Sequence, residues 1–584
     1  MAENSRQLSL RALKRFIAPY LQAQPALLWA LGACLVASLG VTLAGPLLLR
    51  RFIDLSLAAS SDSHLTEIAL GFLIIAVAGQ VLGIAIAWLA TDLSSRTTNR
   101  LRSELTDHVL SLDMSFHRRT PPGELIERVD GDVGSLGVLL GNFIPQMLQE
   151  ALLLVGVLAL LWGIDPRLGA CLSIYAVVAL SLLSRLRHLG VGAWETSREA
   201  AAKSSGFQEE ALGSAEDVRP NGAADHVVLR FLELNRRWFW ASQKASALSG
   251  TTTVAGLTLF GISQSGALAL GAWLLARGDI TLGTVYLLVQ YTAYLSGPID
   301  GFTYRVRYLQ QATAAVNRVV RLSETRSALP KAASPVPVAS GPLNVEFDAV
   351  TFAYDGGEAV LHDLDLHLPR GRVLGLVGRT GSGKTTLARL VARQYDTTSG
   401  EVRVGGTPVG DLDLDELRSR IAVVTQEVQL FSAPIRDNVS LFAPCEDTRL
   451  RSALEAVGLA PWLESHPEGL DAELDPRSLS AGEAQLLTLA RALLRDPGLV
   501  VLDEASARLD PLTEHRLQGA ITHLMDGRTG IVIAHRLSTL DRVDDIAVVD
   551  DGRLVEYGTR AELAGDPDSA FSRLLATYRN EILA

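Results

Sequence analysis

Residues 373–394, Val373-Leu-Gly-Leu-Val-Gly378-Arg-Thr-Gly-Ser-Gly-Lys384-Thr-Thr-Leu-Ala-Arg-Leu-Val-Ala-Arg-Gln394, decide how the chain is read. A short apolar run, the pattern of a buried strand, leads into a glycine-rich turn. A helical stretch from Leu387 to Gln394 follows at once. The spacing is GxxxxGK[ST] in its required context of strand, loop and helix. Glycines there let backbone N–H groups converge on phosphates, and the helix N-terminus favours their negative charge. Gly378, Arg379, Thr380, Gly381, Ser382, Gly383, Lys384, Thr385 and Thr386 are therefore the candidate phosphate-binding residues. Lys384 is expected to reach the β- and γ-phosphates and Thr385 to offer its hydroxyl to Mg2+. The chain has only five lysines against 48 arginines, and one of the five stands here.

Outward from this loop, the apolar run Leu499-Val-Val-Leu502 ends in Asp503-Glu504. A strand delivering two carboxylates beside a phosphate loop divides their labour: Asp503 for the Mg2+ shell, Glu504 to polarise an attacking water. Between the two lies Leu479-Ser480-Ala481-Gly482-Glu483, opening the helical stretch Glu483 to Arg495. A serine and a glycine at a helix start make a second anion-binding end. One phosphate does not need two such ends, so the second is expected to serve a nucleotide held by another subunit. From Asn344 onward, short β runs alternate with helical patterns, which predicts an α/β domain over residues 344–584. Residues 323–343, rich in Ala, Ser and Pro, read as a partly extended linker rather than a packed element.

The first 322 residues have a different texture. Apolar runs of spanning length fall near 25–49, 66–90, 137–163, 167–184, 248–276 and 281–299, and a helix needs ~20 residues to cross the hydrocarbon core. They predict an all-α six-helix transmembrane domain followed by the α/β P-loop nucleotide-binding domain. The first run is expected to be an anchor and not a removable leader. Arginines and lysines crowd residues 1–24, 92–135 and 185–246 and are absent from 52–65, which predicts both termini and the two long connections in the cytoplasm. Helical patterning in those connections predicts spans prolonged beyond the bilayer, ~30 Å for twenty residues. The first would turn near Phe116 to Gly123, at Pro121-Pro122-Gly123, and the second near Gly206 to Glu210.

Composition agrees with this division. The chain of 584 residues is 48% hydrophobic and 20% charged, with a mean hydropathy of +0.23, which excludes a disordered chain and an ordinary soluble enzyme. A net charge of −11 argues against a nucleic-acid partner. Cys34, Cys171 and Cys445 are too far apart for a CxxC pair and imply neither a disulfide framework nor a zinc site. The arginine, alanine and leucine bias is that of a GC-rich bacterial genome.

The ordered set of motifs resembles that of an ABC transporter half-molecule of the exporter type, over nearly the whole chain. Tyr354, at the end of Val345-Glu-Phe-Asp-Ala-Val-Thr-Phe352, looks like the aromatic that stacks on adenine. Gln426 looks like the glutamine that joins Mg2+. His535, after Gly530-Ile-Val-Ile-Ala534, looks like the histidine that contacts the γ-phosphate and completes catalysis with Glu504. Asp510 looks like the residue that communicates across the dimer. The resemblance implies ATP and Mg2+ as cofactors, with Thr385, Gln426 and Asp503 holding the metal, and a second half-transporter as partner.

Two departures bear on that partner. The family signature is usually LSGGQ, and here Ala481 and Glu483 replace Gly and Gln. The preceding Asp471-Ala-Glu-Leu-Asp-Pro-Arg-Ser478 lacks the usual glycine-bearing form. A carboxylate at 483 is less favourable than an amide near an anionic nucleotide. The resemblance implies the rest: in heterodimeric exporters the chain with the intact glutamate and histidine often carries the altered signature, so a heterodimer is favoured over a homodimer. The resemblance implies ATP-driven export of a small molecule (drug, lipid or natural product) across the bacterial cytoplasmic membrane. An importer of the same architecture and an ATP-gated regulator with little turnover are the rival readings. Glu150, in the third span, is the candidate cargo contact, because an ionisable group within a bilayer calls for a functional explanation.

Overall fold

The computed structural model describes residues 10–58, 62–425, 428–503, 511–534 and 540–583. The chain divides into two compact units. One holds residues up to Leu110 and Pro122–Thr325; the other holds Ser111–Pro121 and residues from Arg326 on.

The first unit is helical. An amphipathic helix, Leu10–Gln22, precedes the long helices Pro25–Leu57, Asp62–Ser111, Pro166–Gly213, Ala224–Ala276 and Leu282–Glu324. The third long helix, Pro122–Ile164, is interrupted by π-helical turns at Glu127–Asp132 and Leu139–Phe143. Proline at the first turn of several helices costs no hydrogen bond. Asp165 caps Pro166–Gly213 by accepting from Arg167 N at 2.7 Å, and Thr281 caps Leu282–Glu324 by accepting from Thr284 N. Among the described residues, five helices are long and apolar enough to cross a membrane; Leu282–Glu324, whose apolar residues are diluted by Tyr, Thr, Gln and Gly, is the sixth long helix.

Close approach inside this unit relies on small residues. Gly137 and Gly141, spaced GxxxG, lie against Asp62–Ser111, where Ser94 Oγ donates to Gly137 O at 2.8 Å. A Cβ at Gly141 would come within 3.2 Å of Ser94 Cβ. Tyr291, fully buried, donates its hydroxyl to Leu43 O at 2.7 Å.

The second cytoplasmic-type turn falls later than the sequence predicts. Helix Pro166–Gly213 runs straight through Gly206 to Glu210, and the chain turns over residues 214–223. Gly206 alone does not break a helix that its neighbours favour. Pro220-Asn221-Gly222 does, with Gly222 at φ +65°.

The second unit is α/β. Its main sheet has six strands in the order Arg553–Thr559, Asp545–Asp550, Val373–Val377, Thr529–Ile533, Leu499–Asp503 and Ile421–Val424. All neighbours are parallel except the first pair. Fully apolar strands such as Leu499-Val-Val-Leu502 suit a sheet covered on both faces. An antiparallel sheet of Ala359–Leu368, Val345–Ala353, Ser399–Val404 and Thr407–Pro408 packs beside it. Residues 326–343 contain no helix, yet Val338 and Leu343 are buried in the core of this unit. The stretch is thus extended but packed, because its few apolar residues find the sheet edge.

Ser111–Pro121 is built into this second unit through its short helix Met114–Arg119. Asp113 caps that helix by accepting from Phe116 N at 3.1 Å, and its other oxygen accepts from Ala328 N at 2.6 Å. Burial alone would raise the Asp113 carboxyl, but these backbone donors outweigh it and hold the group below the usual carboxylate range. Arg393, also buried, donates to Pro330 O at 2.8 Å.

Candidate nucleotide site

The parallel strands bring their C-terminal ends to one edge, where ligands of open α/β sheets bind. Val377 leads directly into Gly378, and Asp503 ends the neighbouring run two strands away, with Thr529–Ile533 between them. The loop turns tightly. Gly383 has φ +104°, and a Cβ there would lie 2.6 Å from Leu361 Cδ2; at Gly378 a Cβ would collide with Val549 O. Only glycine fits both places. Helix Lys384–Val391 starts from this turn, so its free N–H groups face the loop.

Lys384 is buried, and its Nζ donates to Gly378 O and Arg379 O, both at 2.8 Å. Ser382 Oγ is buried with no hydrogen-bond partner, an unusual cost inside a protein. Both features fit a loop built to surround an anion. A cavity of about 960 Å3 opens here, lined by Tyr354, Thr380, Gly381, Gly383, Lys384, Thr385, Thr386 and Asp503 among others. Thr385 and Asp503 offer it a hydroxyl and a carboxylate, the oxygen donors a hard divalent cation prefers. No group of three His, Cys, Asp or Glu that could hold a metal occurs among the described residues.

Tyr354 directly follows strand Val345–Ala353. Its hydroxyl lies 3.0 Å from Thr386 Oγ1 and accepts from Arg389 Nη1 at 3.2 Å. Phe352 and Tyr395 meet its ring edge-on, at centroid distances of 4.7 and 5.1 Å. Burial raises the Tyr395 phenol, so this aromatic group is neutral at physiological pH. The ring is thus fixed while it lines the cavity.

Leu479, Ser480, Ala481, Gly482 and Glu483 lie outside the cavity lining. Ser480 caps helix Ala481–Leu494. Glu483 Oε2 accepts from Ser480 N at 2.9 Å and from Ser480 Oγ at 2.7 Å. This reciprocal capping box was legible as S-x-x-E, but reading 483 only as a charge near a nucleotide misses it. Glu150 is half-buried on helix Ile144–Ile164 of the first unit. Gln426, Glu504, Asp510 and His535 lie outside the described residues; of the residues that precede three of them, Asp503 ends strand Leu499–Asp503, and Thr425 and Ala534 directly follow the parallel strands Ile421–Val424 and Thr529–Ile533 on either side of it. Sequence reasoning also misses Arg118, which lines the same cavity. No local signal could reveal it, because only the folded second unit brings Ser111–Pro121 to Tyr354.

Residues 28–299 match the family described as the ABC transporter transmembrane region, and residues 361–507 match the ABC transporter family. A fatty acid ABC transporter ATP-binding/permease protein of Mycobacterium tuberculosis is 33% identical over 80% of this chain and 74% of its own length. The chain belongs to the ABC transporters. An ATP-dependent lipid A-core flippase of Shewanella frigidimarina is 29% identical to this ABC transporter, over 81% of this chain and 79% of its own. A solved bacterial Atm1-family ABC exporter with ATP bound has the same fold, with a TM-score of 0.78 over 95% of this chain and 98% of that one at 24% identity. This ABC transporter is a multi-pass membrane protein that couples ATP hydrolysis to transport.

Proposed function

We propose that the chain is one half of an exporter that moves a small molecule, whether drug, lipid or natural product, out across a bacterial cytoplasmic membrane. Residues 1–322 would form its membrane domain, 323–343 its linker, and 344–584 a cytoplasmic motor, with both termini on the cytoplasmic side. The observation that carries this reading is the single cavity shared by Lys384, Thr385 and Asp503 in a chain of long apolar helices. The lipid-related names of both relatives favour an apolar or amphipathic cargo.

In this reading Tyr354 stacks on adenine, and the N–H groups of residues 378–386 surround the phosphates. Lys384 exchanges its two carbonyl partners for the β- and γ-phosphates. Thr385, Asp503 and Gln426 would hold Mg2+, which when bound offsets the charge of the transferring phosphoryl group. Glu504 orients water for attack, with His535 at the γ-phosphate. Nucleotide binding has different affinity for the inward- and outward-open forms and so shifts their populations, while hydrolysis resets them.

The partner is a second ABC half-transporter, with a heterodimer favoured over a homodimer. Glu483 supports this: its carboxylate already occupies the Ser480 hydroxyl and N–H that a partner's nucleotide would use. The competent site would pair Lys384 and Glu504 of this chain with the partner's signature, and Asp510 would communicate between them. The test is ATPase activity of the purified chain in lipid, alone and with whichever half-transporter co-elutes. Little hydrolysis alone and cargo-stimulated hydrolysis with the partner are expected. Brisk, cooperative hydrolysis by the single chain would make it a homodimer, and no hydrolysis in either preparation would remove the exporter reading.

A further inference from the structure

Arg118 stands on the helix Met114–Arg119, in the turn between two membrane-type helices, yet it lines the nucleotide cavity together with Tyr354, Gly381 and Lys384. Its guanidinium carbon lies 4.7 Å from the centroid of the Tyr354 ring. Neither partner is loosely held. Tyr354 is fixed by Thr386 and by the edges of Phe352 and Tyr395. The helix bearing Arg118 is anchored on one side by the Asp113 oxygen that accepts from Ala328 N, and on the other by Arg119 facing Asp355 at 3.8 Å.

A guanidinium is planar, cationic and weakly hydrated, and it stacks as well on a purine as on a phenol. The guanidinium lies over the face of the Tyr354 ring, so a base that stacks on that face would have to push between the two. It would meet a cation whose plane can lie against its π face and whose N–H groups can reach its ring nitrogens. We propose that Arg118 is a second base-contact residue, which closes on the adenine against Tyr354 from the chain's first long interhelical turn. The adenine would then be held by one residue of the motor proper and one carried on the membrane helices' own connection. The proposal rests on the ATP-binding reading above. It adds that the base, and not only the phosphates, is read by the membrane-domain sequence.

The experiment uses the full chain in lipid, with its partner half if one is required. It measures KM for MgATP and inhibition by inorganic tripolyphosphate, which has the charge of the nucleotide but no base. Arg118→Ala is expected to raise KM for ATP by roughly 3–10-fold, the range of a partly desolvated cation–π contact. The effect should fall on KM more than on kcat and leave tripolyphosphate inhibition within about twofold. Arg118→Lys, which keeps charge but loses the plane, should lie between. Arg119→Ala, which loosens one exposed anchor of this helix but removes no base contact, should raise KM less than Arg118→Ala does.

Three results would overturn the proposal: an unchanged KM in Arg118→Ala, an equal loss of tripolyphosphate inhibition, or the same KM shift in Arg119→Ala. The second would reduce Arg118 to a general positive charge, and the third would reduce it to a docking residue. A wild type that binds no ATP would instead remove the nucleotide reading itself.

Discussion

The two halves of the molecule use apolar residues in opposite senses. On helix Asp62–Ser111, Ile84 and Trp88 are 71% and 65% exposed, while in strand Leu499–Asp503 the first three residues are fully buried. A water-soluble domain cannot expose so much large apolar surface, whereas a lipid-facing helix must. The inside of the helical unit then cannot be held by hydrophobic burial alone, since lipid is as apolar as leucine. Ser94 on Gly137 and Tyr291 on Leu43 O fill that role, as small and polar residues do between membrane helices. The motor is the reverse case, with an apolar core and chemistry confined to one loop-lined edge.

That contrast predicts where single substitutions bite. The largest effect is expected at the motor edge. Glu504→Gln removes the carboxylate proposed to polarise water but leaves the phosphate loop whole. Turnover in the assembled transporter should fall by at least ~10²-fold with ATP still bound tightly. Near-normal hydrolysis would show that the carboxylates after Leu499-Val-Val-Leu502 do not do the chemistry assigned to them.

In the helical unit a single polar group should matter less to turnover and more to cargo. Glu150 lies toward the middle of the third span, where a carboxylate costs ~2.5–3.5 kcal/mol on insertion scales. A watery cavity would lower that cost and suit cationic cargo. Glu150→Gln keeps size and hydrogen bonding and removes only charge. Stimulation by cationic compounds, measured against the variant's own basal rate, should drop several-fold, with an unchanged melting temperature. A fall in melting temperature together with surviving stimulation would make Glu150 part of the bundle's framework and align it with Ser94.

These regions were also unequally legible in the sequence. The phosphate loop could be read residue by residue because its geometry is local: glycines, a lysine and a threonine act within one turn of chain. The Ser480 cap could be read for the same reason, whereas Tyr354 was marked only by the family resemblance. Five of the six expected spans meet length and hydropathy, which lipid imposes directly, while Leu282–Glu324 is as long but more polar. What stayed hidden depends on competition or on distance. Gly206 reads as a break until a stronger breaker at Pro220-Asn221-Gly222 wins. Glu483 reads as a misplaced charge until its carboxylate is seen on Ser480. Arg118 reads as one more cytoplasmic arginine, because nothing near it in the chain announces Tyr354.

The smallest predicted effect concerns the join that hides Arg118. Asp113 both caps helix Met114–Arg119 and accepts from Ala328 N, so Asp113→Ala should cost about 1 kcal/mol, the usual loss of a cap. Sign matters for its pH dependence. The folded-state pKa is depressed, so its contribution is present above the unfolded value near 4 and is lost as pH falls through the lower folded value. The melting temperatures of wild type and Asp113→Ala should therefore differ at pH 7, draw together as pH falls below about 4, and converge only below the depressed folded value. A gap that persists unchanged in acid would mean that Asp113 acts as a neutral packing group. The anchoring of this turn would then fall to Arg119 and Asp355, an exposed pair of the kind worth ~1 kcal/mol or less.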